Sequence, residues 1–197
     1  MKKKILMALA LIGCAIVLVA GTIAGTVAYL TSTTGTISNT FTVGKVNISM
    51  VESVTNEYGA VTTGTTSTGN KYKLIPGHEY VKDPTITVTG GSESCYLFVK
   101  VENGISAIEA GTTIAAQMTA NGWTALADQT GVYYKTYTSQ EADLTVPVFA
   151  NFTIANNADV TTYGSAKINI TAYAIQQDGL TVDNAWTAVS TATSTNG

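Results

Sequence analysis

Cys95-Tyr96-Leu97-Phe98-Val99-Lys100-Val101-Glu102 is the stretch that decides the fold. Its pattern has a period of two. Cys95, Leu97, Val99 and Val101 share one face of an extended strand, and Tyr96, Phe98, Lys100 and Glu102 share the other. Tyr96 and Phe98 make that second face more apolar than contact with water requires, which fits cover by a loop or by another subunit. Cys95 falls within the alternation and is expected to be a buried strand residue rather than a reactive thiol.

The same period recurs on both sides of this strand. Apolar residues sit two apart in Val46-Asn47-Ile48-Ser49-Met50, and Tyr72 and Leu74 resume the pattern. Ile86 and Val88 alternate with Thr85, Thr87 and Thr89, as in a half-exposed strand. Leu144, Val146, Val148, Ala150, Phe152 and Ile154 run as one strand, in which Pro147 demands a sheet edge or a bulge. Ala166, Ile168, Ile170, Ala172 and Ala174 mark the last long strand. Turn residues separate these segments at Pro76-Gly77 and Gly90-Gly91-Ser92, while Asp128 to Gly131 joins Trp123–Ala127 to Val132–Tyr137 as a hairpin. Val61 to Gly69 reads as a flexible loop or hairpin tip.

Two segments have helical spacing. Residues 112–120 start at Thr112 or Thr113 as cap, place Ile114 and Met118 one turn apart, and stop at Asn121-Gly122. Val182, Trp186 and Val189 mark a short amphipathic turn opened by Thr181 or Asp183, and residues 190–197 are expected to be a disordered tail. About eight strands between turn signals predict an all-β fold. The expectation is an antiparallel, jelly-roll-like β-sandwich over residues 42–189 with one or two short peripheral helices.

Composition agrees. Only 12% of the 197 residues are charged, and Thr occupies 34 positions against a single His and no Arg. Thr-rich, charge-poor chains suit strands and turns. Without Arg there is no bidentate phosphate fork. The formal charge is −3, and removal of Lys2, Lys3 and Lys4 leaves seven Lys against thirteen Asp and Glu. An acidic, Arg-free surface is a poor partner for nucleic acid.

Residues 1–28 have the layout of an export signal. Lys2 to Lys4 are the positive region, Ile5 to Ala20 the apolar run, and Thr26 and Ala28 fit the −3 and −1 positions of signal-peptidase cleavage. Two alternatives use the same residues. Ile5 to Leu30 carries no charge and is long enough for an uncleaved anchor, and Leu11-Ile12-Gly13-Cys14 is lipobox-like. Against the lipobox, about fifteen uncharged, mostly apolar residues follow Cys14 where a lipoprotein turns polar. Cleavage leaves Cys95 as the one thiol, so no intrachain disulfide is expected.

Catalytic arrangements are weak throughout. His78-Glu79 lacks the second His of a zinc-binding HExxH helix, because Lys82 stands at that place. A Cys95–His78 dyad conflicts with the strand position of Cys95. No Gly-x-Ser-x-Gly elbow or phosphate-cradling loop occurs. Glu141 and Asp143 read as a solvated turn, and Asp178-Gly179 with Asp183 falls short of a calcium loop. The Asn-x-Ser/Thr sequons at Asn47, Asn151 and Asn169 read as outward strand positions. No enzyme activity, cofactor or metal is expected.

Several stretches together resemble the TasA and camelysin family, secreted proteins of Gram-positive bacteria processed by a SipW-type signal peptidase. The leader is similar in its Lys cluster and apolar run followed by Gly25-Thr26-Val27-Ala28-Tyr29. Phe41-Thr42-Val43-Gly44-Lys45-Val46-Asn47-Ile48 resembles the family's first strand. Leu74-Ile75-Pro76-Gly77-His78-Glu79-Tyr80-Val81-Lys82-Asp83-Pro84 resembles its Pro-Gly turn. The resemblance covers about three quarters of the chain. It implies a jelly-roll sandwich that polymerises into biofilm-matrix fibres, residues 29–41 of one copy completing the sheet of the next.

On that reading Tyr29, Leu30, Ile37 and Phe41 form the donor strand, and the spacing of Tyr29, Ile37 and Phe41 lets them share a face. The alternative for residues 29–41 is an export spacer, since Thr31 to Thr36 is polar for a donor. The expected partners are further copies of the chain, head to tail, and the SipW-type peptidase during export. Membrane contact is expected only through the leader before cleavage, and the location is the extracellular matrix or cell surface. Competing readings are a monomeric cell-surface binding module or adhesin, and a camelysin-like metalloprotease.

Overall fold

The computed structural model describes residues 45–194, with side chains through residue 191. The expected signal peptide (1–28), its Thr26 and Ala28 positions, and the donor residues Tyr29, Leu30, Ile37 and Phe41 lie outside the described residues.

The fold is all-β, an antiparallel sandwich. Among the described residues the strands are β1 (Ile48–Thr55), β2 (Val61–Thr66), β3 (Glu79–Val81), β4 (Thr85–Val88), β5 (Cys95–Asn103) and β6 (Glu109–Ala110). They continue as β7 (Thr124–Ala125), β8 (Val132–Tyr137), β9 (Leu144–Pro147), β10 (Asn151–Ile154) and β11 (Ile168–Gln176). Helix α1 spans Ile114–Ala120 and α2 spans Val182–Ser194. One sheet has the order β2-β1-β4-β9, a second β11-β5-β8-β7, and a small third β3-β10-β6.

The expected single strand from Leu144 to Ile154 is divided in two. β9 pairs with β4 and β10 with β3, yet both pairings keep one register, and Val148 N→Pro84 O (2.9 Å) and Lys82 N→Ala150 O (3.1 Å) carry the ladder across the break. The interruption has a cause in Pro84, which stands at a bonding position without an N–H to give to Val148. Pro147 sits at the alternate position of β9, where its missing donor faces away from β4. β9 is an edge strand, as Pro147 requires.

The core lies between the sheets. Tyr80, Ile86, Val88, Leu97, Val99 and Phe152 are at most 1% exposed and belong to one cluster. Each such side chain adds roughly 1.5–3 kcal/mol by leaving water. Tyr80 stacks on Phe152 at 4.9 Å, and Tyr72 meets both rings edge-on. Gly59 is needed beneath them, because it has a φ of +76° and a Cβ there would lie 2.7 Å from Tyr80 Cα.

The apolar outer face of β5 is covered by α2. Phe98 packs with Ala185 and Trp186 in a second cluster, and Trp186 Nε1 donates to Gln129 Oε1 at 3.2 Å. The cover is that helix together with the loop leading into it, where Leu180 packs in the same cluster and its carbonyl accepts from the Tyr96 hydroxyl at 3.3 Å. Thr181 opens it, accepting from Ala185 N at its carbonyl and from Asn184 N at its hydroxyl. The helix runs through Ser194, so residues 190–194 are helical where a disordered tail was expected. Thr113 caps α1 through Ala116 N, and Gly122, with φ of +80°, follows its end.

Two further expectations change. Of residues 61–69, expected as a flexible loop or hairpin tip, Val61–Thr66 form strand β2, paired with β1 as a hairpin. Tyr72 and Leu74 have no strand around them, although both pack against the core.

Candidate functional site

Antiparallel pairing alternates between residues that bond across the pair and residues whose N–H and C=O turn away. At β11 the phase is fixed by Gly104 N→Lys167 O and Gln177 N→Ser94 O, both 2.9 Å. The nine-residue register with β5 has no bulge. Asn169, Thr171, Tyr173 and Ile175 therefore bond to β5, while Ile168, Ile170, Ala172, Ala174 and Gln176 direct their backbone groups outward. β11 ends its sheet, so no described strand receives those groups.

A second row that no described strand receives borders the same groove from the other sheet. Thr89 N→Asn47 O (3.0 Å) sets the phase in which Ser49 and Val51 bond to β4. Ile48 and Met50 turn their backbone groups away, and β2 joins β1 only from Glu52 onward. Met50, Val51 and Glu52 form one wall of a groove of about 420 Å³, and Ile168 to Thr171 form the other. Ile48, Met50, Ile168 and Ile170 pack against the core but remain only half-buried along it. The seam thus combines backbone donors and acceptors that no described strand receives with apolar side chains that an added strand would cover.

The groove adjoins a buried ion pair. Lys82 Nζ donates to Glu52 Oε2 at 2.6 Å, with the side chains 8% and 6% exposed. Asn70 Nδ2 donates to Glu52 Oε1 and to Ser53 O, and Thr55 N donates to Asn70 Oδ1, all between 2.8 and 2.9 Å. Ser53 donates to both Asp83 oxygens, from N at 2.8 Å and from Oγ at 2.6 Å. These bonds brace β1 where its register shifts between Ser53 and Thr55. Sequence reading missed the pair, but it left a signal. Glu52 falls in phase with Ile48 and Met50, an acid on the apolar face of its strand.

Beside the groove lies a larger cleft of about 860 Å³, bounded by residues 68–74 and 160–169, with Phe152 and Ile105 below. Burial pushes the Tyr72 phenol on its wall up to about 12, so the hydroxyl stays protonated and donates to Val81 O.

The remaining candidates are dispersed. His78 lies at the Pro76-Gly77 turn with Nε2 2.8 Å from Tyr58 O and its ring edge-on to Tyr80. Among the described residues no three His, Cys, Asp or Glu stand close enough to hold a metal. Glu141 and Asp143 are exposed, and Asp143 accepts from Gly90 N. Asn47 and Asn169 are exposed on the surface, whereas Asn151 is half-buried and bonded to Gln117. Asn151 does take the face opposite the buried Phe152 and Ile154, and the Gln117 side chain half-covers it there.

Cys95 is fully buried, and burial pushes its thiol up to about 11. At about pH 8 native Cys95 is expected to resist a thiol-specific disulfide reagent and to react after unfolding, as peptide mapping of the label will report.

Comparison with protein-family models, with curated proteins and with solved structures finds no match to this chain.

Proposed function

We propose that this chain is a secreted, jelly-roll-like structural subunit of an extracellular fibre, assembled by donor-strand addition in the manner of the TasA and camelysin proteins it resembles. The observation that carries the proposal is the outward row of β11 backbone groups beside the half-buried seam with β1. Residues 29–41 of a neighbouring copy are the donor. They carry no charged residue, which suits a seam walled by Met50, Ile168 and Ile170. Strand addition of this kind is head to tail and does not close, so it produces filaments.

The leader supplies export. Cleavage after Ala28 frees Tyr29 to begin the arm. The purified mature protein is expected to form filaments by electron microscopy. Deletion of residues 29–41 is expected to abolish them and leave a folded monomer by circular dichroism and sedimentation. A mature protein that stays monomeric at high concentration would overturn the reading. If the extracellular protein instead keeps Met1 to Ala28, the cell-surface binding module takes its place.

A further inference from the structure

The distribution of lysine points to a second site. Beyond the leader the chain has seven Lys, and four of them, Lys71, Lys73, Lys82 and Lys167, line the larger cleft. The chain has thirteen Asp and Glu, yet none lines that cleft. Two of the four cations have partners. Lys82 is paired with Glu52, and Lys73 lies over the Tyr58 ring at 5.9 Å. Lys71 and Lys167 are exposed and have no ionic partner among the described residues. An acidic protein has thus placed two exposed lysines, Lys71 and Lys167, in a cleft that no Asp or Glu lines. The uncharged arm of residues 29–41 has no use for them either.

We propose that this cleft binds an acidic glycan, a short run of uronate sugars. The charge pattern calls for carboxylates on the ligand. The half-buried Tyr72 and Tyr163 add aromatic surface to its lining, against which a sugar ring can pack. Asn169, Ser165 and Thr68 add an amide and hydroxyls that can meet sugar hydroxyls. An acidic peptide such as polyglutamate uses the lysines but brings no sugar-like ring to pack on the tyrosines. A uronate chain uses all three kinds of group. The site goes beyond the fibre reading: it adjoins the β1–β11 groove and shares Lys82, Thr68 and Asn169 with it, but Lys71, Lys73 and Lys167 line the cleft alone, and it gives a subunit a means of holding a carboxylated matrix polymer.

The test is titration calorimetry on the full-length protein with a defined oligogalacturonate, its methyl-esterified counterpart and an oligoglutamate of equal length. Oligogalacturonate is expected to bind, and more weakly as salt is raised. Esterification, or the double substitution Lys71→Gln/Lys167→Gln, is expected to weaken it at least about tenfold, the scale of two partly screened charge contacts. Both lysines are exposed, so the variant should keep the wild-type circular dichroism and still form filaments. Three results would each overturn the proposal: no binding of oligogalacturonate, equal binding of the ester, or equal binding of oligoglutamate. The fibre reading survives any of them, since filament formation is scored separately.

Discussion

Ala172→Pro is expected to stop filament growth while leaving the subunit folded. Proline has no N–H, and its ring occupies the space in front of the nitrogen. At Ala172 that space lies on the open side of β11, because the bonds to β5 are made by Thr171 and Tyr173. The intrachain ladder keeps its bonds. The cost to the fold is about 1–2 kcal/mol for drawing φ toward roughly −65°. For an incoming strand the loss is larger, one backbone bond removed and a ring in the path at the middle of the edge. The concentration needed for assembly should rise on the order of a hundredfold.

Thr171→Pro is the companion variant. It lies one residue away, but its N–H belongs to the β5 ladder. Its expected effect is on stability, about 3 kcal/mol or more, through a lost ladder bond and a ring driven against β5. Urea melts with electron microscopy of both variants separate edge from ladder. Wild-type filaments from Ala172→Pro would place the arm elsewhere than on β11.

The contrast between these neighbours marks how far the sequence was legible. Alternation in Ile168 to Ala174 shows a strand and its buried face. It does not show which neighbours the strand has, since edge position belongs to the whole sheet. Pro147 is a partial exception, because a residue without a donor narrows its strand to an edge or a bulge. β2 was illegible for a related reason. Five of the six residues in Val61-Thr62-Thr63-Gly64-Thr65-Thr66 are exposed, so no periodic pattern of burial exists to be read. The apolar outer face of β5 was legible as a surface needing cover, but its cover depends on a helix nearly ninety positions later, anchored by Trp186. The groove and the lysine cleft were hidden in the same way. Lys71 and Lys167 are far apart in the chain and come to line one cleft only through the fold.

Glu52→Ala is expected to be among the most damaging single substitutions, with a loss of about 3–5 kcal/mol in urea unfolding. The carboxylate holds the Lys82 ammonium at 2.6 Å and the Asn70 amide at 2.8 Å in a site almost closed to water. Removing it leaves a cation buried with no counter-charge, and Asn70 keeps only its bonds to the β1 backbone. Lys82→Met leaves the carboxylate buried with Asn70 as its one remaining donor, and is expected to cost a similar amount. The informative variant is the double one, Glu52→Leu/Lys82→Met. It fills the same space with apolar atoms and strands no charge. It should therefore be more stable than either single variant, with a coupling of several kcal/mol in the double-mutant cycle. Additive losses, or a Glu52→Ala loss below about 1 kcal/mol, would mean that water reaches the pair and that it behaves as a surface contact. The expected coupling carries a consequence for assembly. Asn70 and Asp83 tie this ion pair to β1 at its register shift, beside the row of free groups on Ile48 and Met50. A subunit that keeps its fold but loses this brace should present a looser seam, so Glu52→Leu/Lys82→Met should assemble less well than its stability alone would allow.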